Sequence, residues 1–209
     1  MKIAIIGAAG QAGSFILKEA LNRGIDATAI VRHPEKLTIE VPYLQKDLFD
    51  LTTQDLAGFD AVIDAFNAPR GKEELHQTSV DHLLTILSGT DTRLLIVGGA
   101  SSLFLDDAKS QRMIDGVPSS APFYPVAHNM YLSLIDLKKN QDVNWTYISP
   151  AAYFNPHGER TGSYQLNDDR LIKNAAGESE ISMADYAIAM IDEAEQGKHL
   201  KEHISVVSR

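Results

Sequence analysis

Three glycines spaced three apart, in the turn Gly7-Ala8-Ala9-Gly10-Gln11-Ala12-Gly13, stand between an apolar run, Lys2 to Ile6, and a helical pattern from Gln11 to Arg23. In that context such glycines hold a pyrophosphate. Gly7 lets the chain turn sharply off a strand, and Gly10 lets backbone N–H groups approach the phosphates at the positive end of the helix. Gly13 lets helix and strand pack closely, and the amides of Ala9, Gln11 and Ala12 complete the cradle. The next chemistry-bearing position is the end of the second apolar run, where an acid would hold the two hydroxyls of an adenosine ribose. Here the residues are Val31-Arg32-His33. A guanidinium is planar, multidentate and always charged, so Arg32 suits a 2′-phosphate and favours NADP(H), with NAD(H) as the alternative. Asp47 is placed to meet the adenine amino group, and Leu48, Phe66, Asn67, Ala68, Gly98 and Gly99 follow successive strand ends and are expected along the cofactor rim. Arg32 and Asp47 also have a plain reading as surface groups.

The elements that must position these residues alternate as in βαβ units. Strands are expected over 2–6, 26–31, 41–44, 60–65, 93–97 and 145–149, with helices over 11–23, 52–57, 72–87 and 126–139. Gly24 closes the first helix and Pro34 stops the second strand. Residues 101–125, with Pro118, Pro122, Pro125 and two Ser pairs, read as a loop excursion carrying a short helix near 106–113. From Ala151 the pattern shortens: a loop through Pro156 and Gly158, a strand over 163–166, a helix over 184–195 capped by Ser182, and a strand over 204–207. These patterns predict one α/β domain, residues 1–209, a Rossmann-type doubly wound parallel sheet. Its C-terminal segment, 151–209, is expected to cover the substrate site.

Composition narrows the function. With 19 Lys and Arg against 28 Asp and Glu, the net charge is −9 and the basic residues are scattered, which disfavours nucleic acid as a partner. There is no cysteine, so thiolate chemistry, disulfides and cysteine-held metals are excluded. No metal site is expected: His76 and His82 lie six apart without a third ligand. The short first apolar run resembles neither a signal peptide nor a membrane span, and a cytoplasmic location is expected. An ordinary short-chain dehydrogenase would open its long helix with Tyr-x-x-x-Lys, the Lys lowering the Tyr pKa. Tyr124 is followed four residues on by His128 and Tyr131 by Ile135, so carbonyl reduction by that pair is disfavoured, as is epimerisation of a nucleotide sugar. A reductase acting on an acceptor that needs little proton help remains open.

The turn GAAGQAG, the segment AIVRHPEKL, the strand end LLIVGGASSL, and the tail WTYISPAAYFNPHGERTGSYQL with GESEISMADYAIAMIDE resemble the NADH-flavin reductases of the atypical short-chain dehydrogenase group. More distantly they resemble flavin reductases of the biliverdin reductase B type. The resemblance spans nearly the whole chain, and GERTGSYQL with Ser182-x-x-Asp185-Tyr186-Ala187 is its most particular part. It implies NAD(P)H-dependent reduction of FMN, FAD, a quinone or a similar planar small molecule stacked over the nicotinamide. Two residues match positions that touch nicotinamide or acceptor in the more distant relatives. Ser101 would reach them with its hydroxyl, and His157 would supply a proton or stack on the acceptor. Phe123, Tyr124, Tyr153 and Phe154 would wall the acceptor pocket. Ser101 as a local cap, His157 as a solvated loop residue and Phe154 as core are the structural alternatives. A non-catalytic NADP-binding regulator is the competing function.

Overall fold

The computed structural model describes all residues, 1–209. Its main sheet has eight strands in the order β3-β2-β1-β4-β5-β6-β10-β8. These are β1 (Lys2–Ile6), β2 (Asp26–Val31), β3 (Tyr43–Gln45), β4 (Ala61–Asp64), β5 (Arg93–Val97), β6 (Trp145–Ser149), β8 (Tyr164–Asn167) and β10 (Glu202–Ser208). All pair in parallel except β8, which runs antiparallel to β10 along one edge. The strand order reverses between β1 and β4, so a crevice opens above their carboxyl ends. This is a Rossmann-type α/β fold.

Alternate residues of each strand feed two separate cores. Ile3 and Ile5 join the cluster beneath α1 (Gln11–Asn22) and α5 (Met183–Gln196). Ala4 and Ile6 join the cluster beneath α3 (Leu75–Leu87) and α4 (Tyr124–Leu137). The period of two in the strands and of 3.6 in the helices therefore builds a three-layer sandwich with the sheet buried on both faces. The short helix α2 (Thr53–Leu56) is held by a reciprocal capping box between Thr52 and Asp55. The Ser182 hydroxyl accepts from the Asp185 N–H at 3.0 Å to cap α5, and Gly197 ends that helix in the left-handed region.

Several local expectations change, among them the start of α3 at Leu75 rather than 72 and the extent of β10 over 202–208 rather than 204–207. The third strand lies at 43–45 rather than 41–44, and the long helix begins at Tyr124 rather than 126, because Pro125 is tolerated in a first turn. The helix expected over 106–113 is absent. The Asp106 carboxylate instead accepts the N–H groups of Ser110 and Gln111, which closes a turn, and a 3-10 turn follows at 113–116. The tail also contains a parallel pair that alternation does not reveal, β7 (Tyr153–Asn155) with β9 (Glu180–Ser182).

Candidate dinucleotide site

The glycine turn enters α1 with φ +72° at Gly7, a backbone region that disfavours any side chain. A Cβ on Gly7 would stand 2.6 Å from the Ala65 carbonyl oxygen, and one on Gly13 would overlap the Gly7 carbonyl. The three glycines thus allow the chain to fold back between β1 and β4. Gly10 N–H donates to the Gly7 carbonyl at 2.8 Å, and Ser14 N–H closes the first helical bond to Gly10 at 2.9 Å. No side chain caps α1, so the amides of its first turn remain available to an anion.

Above this turn lies a cleft of ≈ 260 Å³ built from the ends of β1, β2 and β4 and the loop after β3. It brings together Gly7, Ala9, Gly10, Arg32, Asp47, Leu48, Phe66 and Asn67, all expected from the sequence. Gln11 lines an adjoining groove of ≈ 150 Å³ past Gly10. Ala12 sits half-buried in the first turn of α1, and Ala68 is buried behind the cleft wall. Gly98 and Gly99 stand further along, at the end of β5. A Cβ on Gly98 would overlap the Tyr147 ring.

The basic end of the cleft contains more than Arg32. His33, Lys36 and Lys46 line it too, and sequence reasoning missed all three as site residues because their approach depends on how the loops after β2 and β3 meet. Arg32 lies 3.6 Å from the Asp47 carboxylate, and half of its side chain is exposed. Asp47 also accepts the Phe49 N–H at 3.0 Å, which caps a 3-10 turn over 48–50. Lys46 is engaged by Asp55 at 2.6 Å, and that pairing holds the Asp55 carboxyl down at about 2. His33 sits 3.2 Å from Glu35. Lys36 makes no ion pair, so it adds an uncompensated positive charge beside Arg32.

Asp64, at the end of β4, is 4 % exposed and accepts the Phe66 N–H at 2.9 Å, which orders the loop that forms one wall of the cleft. Burial pushes its carboxyl up to about 6. No sequence pattern separates this Asp from an ordinary strand residue.

The expected catalytic and acceptor residues do not line this cleft. Ser101 sits half-buried in the 3-10 turn 100–102 that follows β5. His157 is exposed just past β7, and its N–H donates to Asn155 Oδ1 at 2.9 Å. Phe123 and Tyr153 are among the most exposed aromatic rings, at 56 % and 55 %. Tyr124 stacks on His128, with ring centres 5.2 Å apart and 12° between the planes. Phe154 packs against Tyr186 at 4.8 Å and onto the core, which is the structural alternative raised for it.

The tail motifs have a clear physical role. Thr161 and Gly162 donate to the buried Asp185 carboxylate, at 2.6 Å from the Thr161 hydroxyl and 2.9 Å from the Gly162 N–H. Glu19, buried on α1, accepts from Arg23 at 2.9 Å and from Arg160 at 3.0 Å, and Tyr164 donates to Asp192 at 2.5 Å. The segment GERTGSYQL thereby ties the glycine-turn helix α1 to α5.

Comparison with known proteins agrees with this geometry. A family model described as NAD(P)H-binding matches residues 7–194. YwnB of Bacillus subtilis (strain 168), itself uncharacterized, is 50 % identical over 210 residues, spanning 100 % of this chain and 99 % of that protein. SP1627 of Streptococcus pneumoniae TIGR4, named as a candidate NADH-flavin reductase, is 45 % identical with a TM-score of 0.94 and full coverage of both chains. A candidate epimerase of Bacteroides thetaiotaomicron is 39 % identical with a TM-score of 0.85, covering 99 % of this chain and 96 % of that one. No helix is long and apolar enough to cross a membrane. The open amides of α1, the glycine-shaped turn and the family match over most of the chain lead to one conclusion: the chain belongs to the NAD(P)H-binding family of Rossmann-fold proteins.

Proposed function

We propose that the chain is an NAD(P)H-dependent oxidoreductase that passes hydride from the nicotinamide to a flavin, quinone or similar planar small molecule. The observation that carries the reading is the cleft itself, which sets the glycine turn beside a basic end lined by Arg32 and Lys36. Arg32 and Lys36 would grip a 2′-phosphate, which supports NADP(H) over NAD(H) even though Asp47 competes for the guanidinium. Gly7 to Gly13 would hold the pyrophosphate, Asp47 and Leu48 the adenine side, and Phe66, Asn67, Ala68, Gly98 and Gly99 the path toward the nicotinamide.

Hydride brings two electrons to the acceptor, which then needs only one proton to reach the reduced dihydro form. A flavin can draw that proton from His157 or from water, with the Ser101 hydroxyl held against the nicotinamide or the acceptor. Phe123, Tyr124, Tyr153 and Phe154 would flank the acceptor, Phe154 doing so from its packed position beneath Tyr186. The lack of any Tyr-x-x-x-Lys pair supports an acceptor of this kind over an alcohol or a nucleotide sugar. It counts equally against the epimerase reading that one relative's name offers.

The test is a panel of FMN, FAD and quinones with NADPH and NADH, followed by loss of nicotinamide absorbance. Turnover that is faster with NADPH and impaired in Ser101→Ala and His157→Gln is the expected result. Tight dinucleotide binding with no turnover on any acceptor would refute the reductase and favour an NADP-sensing regulator.

A further inference from the structure

Behind the loop that leaves β5 lies a buried polar cluster that neither composition nor motif announces. The Gly99 carbonyl oxygen receives the Ser102 hydroxyl at 2.8 Å and the Ser149 hydroxyl at 2.9 Å, besides a longer contact from the Ser102 N–H at 3.4 Å. Ser149 comes from the end of β6, and its Oγ also lies 2.8 Å from Nε2 of His203 at the start of β10. The two serine oxygens are 3.2 Å apart, and Ser102 Oγ is 3.4 Å from the same imidazole nitrogen. Ser102, Ser149 and His203 are all buried.

Counting protons fixes the direction of this network. A carbonyl oxygen and a hydroxyl oxygen at 2.9 Å need a proton between them, and only the hydroxyl can supply it. The Ser149 proton therefore points at Gly99, as does that of Ser102. Nε2 of His203, 2.8 Å from an oxygen whose one proton is spent, must then be the donor. Nδ1 is left with a bare lone pair, and it is indeed buried without a partner. The nearest carboxylate, Asp169 Oδ2 at 4.0 Å, has its charge offset by Lys109 at 2.6 Å and Lys138 at 3.3 Å. Burial also pushes the imidazole down to about 3, so it remains neutral at working pH.

We propose that His203, as its Nε2–H tautomer, is a positioning residue. Through Ser149 it locks the Gly99 carbonyl inward and so aims the Gly99–Ala100 peptide and the Ser101 side chain at the bound ligand. The chain has no cis peptide, and in a trans peptide the N–H points opposite to the carbonyl. A Gly99 carbonyl held toward β6 thus presents the Ala100 N–H on the other side. Ala100 opens the 3-10 turn, so that N–H has no acceptor within it. On the reductase reading, which this inference rests on and deepens, this face meets the nicotinamide and the acceptor. The brace is remote from the pyrophosphate cradle, so it acts on turnover rather than on dinucleotide affinity.

Nitrogen NMR of ¹⁵N-histidine-labelled protein, with His203→Phe to assign the resonance, reads the tautomer directly. A protonated Nε2 is expected, and a proton on Nδ1 would overturn the proposal. In kinetics with NADPH and the best acceptor of the panel, His203→Phe is expected to lower kcat about tenfold while the Kd for NADPH stays within about twofold. Ser149→Ala, which removes a single oxygen and leaves the imidazole in place, is expected to reproduce that split and serves should the Phe variant not fold. Unchanged kcat in folded Ser149→Ala, or equal losses in kcat and affinity, would overturn the positioning role. A wild type that reduces no acceptor refutes the reductase reading alone, because the NMR arm still judges the brace.

Discussion

Asp64 offers a quantitative test that needs no substrate. It is 4 % exposed at the end of β4, and its only hydrogen-bond donor is the Phe66 N–H at 2.9 Å. Burial raises its carboxyl from an ordinary 3.8 to about 6. Below pH 3.8 both folded and unfolded chains hold the proton, and Asp64 contributes no pH dependence. Between the two values the folded state keeps a proton that the unfolded state has lost, so stability falls as pH rises through this window. Above pH 7 the whole cost applies, about 3 kcal/mol at ~1.4 kcal/mol per pH unit of separation. Asp64→Asn keeps an oxygen for the Phe66 N–H but cannot ionise. It carries a pH-independent penalty of about 1–3 kcal/mol for a buried amide N–H without a partner. Urea unfolding of both proteins from pH 4 to 8 isolates the titration, because groups not coupled to Asp64 cancel in the difference. The variant is expected to gain about 2.5 kcal/mol on wild type across that range, since part of the titration of the unfolded chain is already complete at pH 4. A difference that stays flat, or that falls with rising pH, would refute the burial argument for Asp64.

Three further outcomes follow from the site and its scaffold. Arg32→Ser should lower the ratio of kcat/KM for NADPH over NADH by at least about tenfold, the loss of one charge-assisted contact, with Lys36→Ser adding to it; an unchanged ratio would reject the 2′-phosphate assignment. Gly13→Ala places a methyl against the Gly7 carbonyl. It should weaken NADPH binding more than tenfold by fluorescence titration, or about 1.4 kcal/mol, through displacement of the turn. Glu19→Ala strands Arg23 and Arg160, both partly solvated and the former still held by Asp192 and Glu195, so a loss of about 2 kcal/mol is expected in urea unfolding.

Legibility in the sequence tracked the range of the interaction. The glycine turn, Gly24 after α1, the Ser182 cap and the buried strands were all readable, since each is dictated by neighbours within a few residues or by a simple period. The segment 106–113 misled because Asp106 satisfies nearby N–H groups in a turn as readily as a helix would. The β7 and β9 pair was hidden because three-residue strands carry no period. At the site, Arg32 was legible from its place after β2, but its pairing with Asp47 and the addition of Lys36 and Lys46 depend on loops meeting in space.

The sequence by itself therefore determined the fold class, the dinucleotide turn and the absence of a Tyr–Lys pair, because periodicity, backbone freedom at glycine and residue identity are local properties. Only the tertiary structure decided which charges share the basic end of the cleft, how deeply Asp64 is buried, that the GERTGSYQL tail ties α1 to α5, and that His203 reaches the Gly99 carbonyl through Ser149. Burial and long-range hydrogen bonding arise from where the chain returns to itself, and no spacing along the chain encodes Ser149 and His203, 54 positions apart, as a contact.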